Sequence, residues 1–206
     1  MARDLAPVVK QSRRENFALH PKAHKYLIKK SGIPGQHGGS GRRLVNRKQY
    51  AIQLREKQKV RRLYGLLEKQ FANLFKKSLK QKGQGGSNAL SLLERRLDNA
   101  VYRAGFASSR QAARQLVSHK HLILNSRRVN IASITLKIGD KIQVRPQSQK
   151  NAYFKFLNDL SPAPAQLPNW LKINRDKLTF EVVALPIRED IPEEINEQLV
   201  VEYYSR

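Results

Sequence analysis

Between Lys120 and His121 the spacing of apolar residues changes from three-and-four to two. A helix returns to one face every 3.6 residues and a strand every second residue, so the chain must hold both kinds of element, in that order. Upstream of the change, Val60, Leu63, Leu67, Phe71 and Leu74 form one amphipathic stripe. Gly65 interrupts it at about 1 kcal/mol relative to Ala, which predicts a break or a close approach. GQGGS (83–87) reads as a loop. Ser87 suits the N-cap of a second helix, SNALSLLERRLDNAVYRAG, ended by Gly105, with Leu90, Leu93, Leu97 and Val101 inward. Ser108 or Ser109 suits the cap of a third, SSRQAARQLVSHK, burying Ala112, Ala113, Leu116 and Val117.

Downstream, HLILN (121–125) and RVNIA (128–132) read as strands around Asn125-Ser126-Arg127, and KIGDKIQVRP (137–146) as a tight turn and a strand. SPAPAQLP (161–168) is a stiff connector, and WLKIN with KLTFEVVAL alternates like a hairpin. A last helix is predicted from about Asp190-Ile191-Pro192-Glu193-Glu194, because proline and acids both suit a first turn. Its apolar stripe is Ile195, Leu199 and Tyr203. No internal repeat is seen.

Charge narrows the partner. The net charge is +24, and residues 1–150 hold 34 Lys and Arg against 7 acids, whereas residues 151–206 hold 6 against 9. Such a bias points to a polyanion, nucleic acid or an acidic membrane surface. No apolar run approaches the roughly 18 residues of a membrane span, and MARDLAPVVKQ has no apolar core of a secretory signal. No cysteine is present, which excludes disulfides and thiolate metal sites. The expectation is a soluble, intracellular protein. Residues 1–46 are basic and rich in Gly, Ser and His; they read either as a disordered tail or as an arm that folds against a polyanion.

An enzyme finds little support. G-x-S-x-G and the phosphate-loop motif G-x-x-x-x-G-K-[ST] are absent, and Gly35, Gly38, Gly39 and Gly41 follow no strand. His20, His24 and His37 could meet zinc, but Pro21 breaks the pair's helix and a fourth ligand is missing. No cofactor is expected. Nucleic acid remains. Arg42, Arg43, Arg47 and Lys48 run into Arg55, Lys57, Lys59, Arg61 and Arg62, five cations beside one acid, Glu56, which should repel one another along a helix. The apolar stripe is expected to leave them to solvent. A second patch is Arg110, Arg114, His119, Lys120, Arg127 and Arg128. Few aromatics stand beside either patch, which favours shape and backbone recognition of folded RNA over stacking on single strands.

QLREKQKVRRLYGLLEKQF, LLERRLDNAVYRAGFASSRQAARQLVSHKHLILNSRRVNIAS and INEQLVVEYYSR, with PGQHGG at 34–39, closely resemble the bacterial and plastid family of small-subunit ribosomal protein number four, from about residue 30 to 206. The resemblance implies an α+β fold: a helical domain with an inserted mixed α/β RNA-binding domain and a basic, extended N-terminal arm. The arm is 1–46; the helical domain is 47–94, completed by 186–206; the RNA-binding domain is 95–160; and 161–185 is a connector and hairpin packed with it. It also implies binding to the five-prime domain of small-subunit ribosomal RNA early in assembly, a place near the path of incoming messenger RNA, contact with ribosomal protein number five, and repression of its own messenger in some members. The cationic helix would then take its counter-charges from ribosomal RNA. The acidic tail, through Glu193, Glu194 and Glu197, would meet a basic neighbouring protein. No membrane or homo-oligomer is implied, and the location is the cytoplasm or a plastid stroma.

Two departures stand out. Many relatives bind zinc through four N-terminal cysteines absent here, so the metal is not carried over. Asn125-Ser126 replaces a common Asn-Gly, which makes a tight type I′ turn less comfortable. A pseudouridine synthase would share the RNA-binding module but needs a catalytic domain for which no block remains, and a free RNA chaperone would show little preference among folded RNAs.

Overall fold

Gly65 is where the first long helix ends. The computed structural model describes residues 4–30, 32–35, 49–162, 167–191 and 194–205. In chain order the helices are α1 (Val8–Glu15), α2 (Ala23–Lys29), α3 (Gln49–Leu63), α4 (Glu68–Leu79), α5 (Gly85–Glu94), α6 (Leu97–Arg103), α7 (Arg110–Ser118), the short α8 (Pro146–Gln149), α9 (Ala152–Lys155) and α10 (Leu157–Leu160), and α11 (Glu197–Tyr204). The strands are β1 (Leu122–Leu124), β2 (Arg127–Val129), β3 (Lys141–Val144), β4 (Leu171–Asn174) and β5 (Thr179–Val182). The mixture is the α+β class that the change of period requires. No described helix is long and apolar enough to cross a membrane.

The chain divides into two compact units, Met1–Ala89 with Glu193–Arg206, and Leu90–Pro192. In the first, Gly65 takes φ +64, and its N–H and that of Leu66 return to the carbonyls of Arg62 and Arg61, a left-handed helix end that glycine adopts without strain. The chain can then double back, so that Val60, Leu63, Leu66, Phe71 and Phe75 are buried together with Val200 of α11. Phe75 stacks on Tyr204 at 5.4 Å. Residues 8–15 and 23–29, read as part of an arm, form helices here. The stretch 36–48, including PGQHGG beyond Gly35, lies outside the described residues.

Three boundaries differ from the sequence reading. Helix α5 starts at Gly85, inside the expected loop, so Ser87 is a helical residue rather than a cap. A Cβ on Gly86 would lie 2.8 Å from Cγ of Glu197, so the glycine permits close approach of α11. The expected single helix 87–104 breaks at Arg95 and Arg96. Arg96 is extended (φ −66°, ψ 138°), and the backbone turns outward to pair with another segment: Leu97 and Asp98 donate to the carbonyls of Ile134 and Ala132, and Leu136 donates to that of Arg95. No Gly or Pro marks this break. The last helix begins at Glu197, because the Asn196 side chain accepts from the Leu199 N–H and caps it. Val200 is therefore its buried residue and Leu199 and Tyr203 are half-buried, while Ile195 is buried ahead of the helix.

In the second unit, Ser109 caps α7 by accepting from the Ala112 N–H. The strands form one antiparallel sheet, ordered β2-β1-β3-β5-β4. Strand β2 ends at Val129, earlier than expected. Asn125 and Ser126 both take positive φ (46° and 70°), the type I′ geometry that Asn-Gly would fill. Asn125 compensates for the missing glycine: its side chain donates to Asp140 at 2.7 Å and accepts from the Lys141 N–H at 2.9 Å. One sheet face, through Leu122, Ile142, Val144, Phe180 and Val182, joins Val101, Phe106, Val117 and Trp170 in a single core.

Candidate nucleic-acid interface

Helix α3 finds its counter-charges within the protein, which corrects the expectation that its cations lie on solvent faces. Lys57 is buried, with Nζ 2.8 Å from Glu68 Oε1 and 4.8 Å above the Tyr203 ring. Arg61 donates to Gln58 at 2.9 Å and to the Leu66 carbonyl at 3.3 Å, and stands 3.7 Å from Glu68. Arg62 pairs with Glu15 of α1, as does Arg55 at 3.2 Å. Lys59 holds Glu56 at 2.8 Å and the Glu194 carbonyl at 2.7 Å. Glu56 follows the helical i,i+3 spacing, but Glu15 and Glu68 come from other helices, so much of the charge of a helix that looks self-repelling in isolation is offset by its fold. Burial tends to push the Glu68 carboxyl up, but hydrogen bonds from Lys57 and Tyr204 outweigh it and hold it below the usual range. Burial, reinforced by Glu68, pushes the Tyr204 hydroxyl up. Arg42, Arg43, Arg47 and Lys48 lie outside the described residues.

The second patch separates into two sets. Arg110 donates to Asn99 at 2.8 Å and lies 4.7 Å over the Tyr102 ring; Arg114 stands 3.7 Å from Asp98. Beneath them, buried Asp98 forks Arg96 at 3.1 and 2.8 Å, and buried Glu94 forks Arg103 with both bonds at 2.9 Å. These pairs brace α6 against the end of α5, and Asn99 and Asp98 of α6 in turn hold Arg110 and Arg114 of α7. His119, Lys120, Arg127 and Arg128, in contrast, are exposed, at the end of α7 and on the β1–β2 hairpin. Lys120 takes φ +62 as the chain leaves the helix. Behind them His121 bonds Ser148 at 3.0 Å, and burial, then the charges of His119 and Arg145, lower its pKa. The exposed set has no acid interspersed in sequence, and strand pairing fixes it: Arg128 is opposite Ile123 and Arg127 opposite Leu124.

At the tail, Glu193 lies outside the described residues, the Glu194 side chain is exposed, and Glu197 opens α11. Among the described residues no group of three or more His, Cys, Asp or Glu is placed to hold a metal; His37 is not among them. Lys141 and Lys172 were missed as candidate cations. The alternation in KIQV and LKIN could have found them, because their apolar partners Ile142 and Leu171 are buried.

A rigid helix-and-hairpin surface of exposed cations on a braced α/β unit defines an RNA-binding module joined to a helical unit. Residues 3–94 match the ribosomal protein S4/S9 N-terminal domain family and residues 95–142 match the S4 domain family. Small ribosomal subunit protein uS4 of Chloroflexus aurantiacus is 50% identical over 207 aligned residues, covering 100% of both chains. Those of Roseiflexus castenholzii and Chlorobium limicola are 49% and 48% identical, again over the whole of both chains. The chain belongs to the uS4 family of small ribosomal subunit proteins. It is a ribosomal protein carrying an RNA-binding domain, a structural component rather than an enzyme.

Proposed function

We propose that this protein binds the five-prime domain of small-subunit ribosomal RNA early in assembly and thereby nucleates the subunit. The exposed set His119, Lys120, Arg127 and Arg128, presented on a rigid helix end and hairpin, carries the proposal. A pre-formed cationic surface loses little entropy on binding, and a hairpin whose turn is pinned by Asn125 can register against a folded junction. Arg42, Arg43, Arg47 and Lys48 extend the contact from the N-terminal side. Arg110 and Arg114 position the surface, and any charge they keep toward solvent adds to it. On α3 the role narrows: Lys57, Lys59, Arg61 and Arg62 hold the helical unit together, while Arg55 is the most exposed of the five. In the assembled subunit, Glu193, Glu194 and Glu197 face a basic neighbour, ribosomal protein number five, near the path of incoming messenger RNA, where the contact supports accurate decoding. The location is the cytoplasm, or the stroma if the chain is plastid-encoded.

Filter binding to a five-prime-domain transcript tests the proposal. Arg127→Glu with Arg128→Glu is expected to lower affinity at least about 100-fold while the wild type loses on the order of 10³-fold between 50 and 200 mM salt. Equal affinity for an unrelated folded RNA would favour a free RNA chaperone instead. Co-sedimentation with the small subunit in high salt is the independent check.

A further inference from the structure

The core face of the sheet is apolar; its other face is organised too. By strand register, Arg128, Ile123, Gln143, Thr179 and Asn174 form one row that crosses all five strands. Strands stand about 4.8 Å apart, so the row is roughly 19 Å long. A second row lies two residues along, roughly 6.6 Å away, and holds Lys141, Glu181 and Lys172. Arg128, Lys141, Gln143, Lys172 and Asn174 are exposed. A concavity of about 440 Å³ lies on this face, lined among others by Lys141, Gln143, Lys172, Asn174, Thr179 and Glu181.

A polar, solvated face is the ordinary state of an antiparallel sheet. Such a face needs neither a hollow nor a row of carboxamide and hydroxyl groups between cations. Glu181, the one acid in the hollow, stands between two lysines and is 3.8 Å from Lys141, so it spaces the ammonium groups and leaves the face with a net positive charge. Ammonium and guanidinium groups bind phosphate oxygens. Carboxamides and hydroxyls both donate and accept, which matches ribose hydroxyls and base edges. No aromatic ring lies in either row, so bases are not stacked there.

We infer that the outer face of the sheet is a second RNA contact, gripping one strand by its backbone, with Arg128, Lys141 and Lys172 on phosphates and Gln143, Thr179 and Asn174 on riboses. The inference rests on the RNA-binding reading above and extends it from the hairpin tip to the whole sheet. Arg128 belongs to both surfaces, which makes the contact continuous around the edge strand.

Two experiments on the full chain test it. Lys141→Gln with Lys172→Gln should melt as the wild type does, yet bind the five-prime-domain transcript at least about tenfold more weakly at 0.1 M salt, with the slope of log affinity against log salt reduced by about two. Because the chain lacks cysteine, Gln143→Cys offers a single thiol for a tethered iron–EDTA probe, and radicals from it should cut one strand segment of the bound transcript. Unchanged affinity and slope, with no cleavage, would overturn the inference while loss of binding in the Arg127/Arg128 variant kept the hairpin reading. Normal transcript binding with failed incorporation into subunits would assign the face to a protein and equally overturn it. No preference of the wild type for this transcript would remove both readings together.

Discussion

Lys57 and Arg128 carry the same charge to opposite ends. Lys57 sits between Glu68 and the Tyr203 ring, almost without solvent contact. Reversing it buries an unpaired carboxylate at a site almost without solvent and sets it against half-exposed Glu68, which costs on the order of several kcal/mol. Lys57→Glu is therefore expected to unfold most of the protein in a urea titration. Arg128→Glu should stay within about 0.5 kcal/mol of wild type and lose RNA affinity. The same contrast applies to Arg61, held to the Leu66 carbonyl, so reversal there costs stability before it costs binding. Glu68 also sets a pH response. Its carboxyl in the folded protein titrates below its unfolded value. Its contribution is thus fully present above the unfolded value of about 4.3 and is lost as pH falls through the lower folded one. Thermal melts should show wild type losing stability below about pH 4 more steeply than Glu68→Gln; equal slopes would assign the acid loss to other carboxylates.

At the scale of elements, the sequence was legible wherever periodicity and a marked end agreed. Both hairpins follow from local residues alone, as does a serine cap for α7, left between Ser108 and Ser109, and Gly65 marks the site where α3 ends. The break at Arg95-Arg96 does not: nothing in SLLERRLDN forbids a continuous helix, and the extended backbone at Arg96 is held by carbonyls at Ala132 and Ile134 that only the fold brings near. Pro192 and the acids predict the last helix from about Asp190, but the Asn196 side-chain cap starts it at Glu197. Asn196→Ala should accordingly cost about 1 kcal/mol, and Asn196→Gly only a few tenths, measured by denaturant midpoint. Gly86→Ala poses a sharper test. Helix propensity alone would gain about 1 kcal/mol. With Glu197 Cγ at 2.8 Å and Cβ at 3.0 Å, however, α11 must move away. A net loss on the order of 1–2 kcal/mol is expected, and a net gain would mean that α11 packs less closely than described. As for the candidate site, exposed cations of the hairpin could be read from sequence, but Glu15 and Glu68 as partners of α3 could not, because ion pairs between different helices carry no spacing rule.

At the scale of the whole molecule, charge is divided between two tasks: the cations of α3 are ion-paired within the fold, and those of the β1–β2 hairpin are left exposed. The protein's stability should depend modestly on salt while its RNA affinity depends steeply on it. Melting between 50 and 200 mM salt alongside binding over the same range checks this; parallel collapse of both would mean that the α3 pairs are solvated. A chelator should leave the melting temperature unchanged, and elemental analysis finding about one zinc per chain would contradict that and point to His20, His24 and His37.

Unit 2 is one uninterrupted stretch of chain, but unit 1 is closed by Glu193–Arg206, which pack α11 on α3 and supply the Glu194 carbonyl to Lys59 and Glu202 to Gln53. Translation runs from the N-terminus, and contiguous units fold as they emerge. The inserted RNA-binding unit can therefore close on a nascent chain while the helical unit still waits for its final helix. The order of synthesis makes the segment that begins first the one that finishes last, and a nascent chain stalled before α11 would present α3 with part of its positive charge still unclaimed.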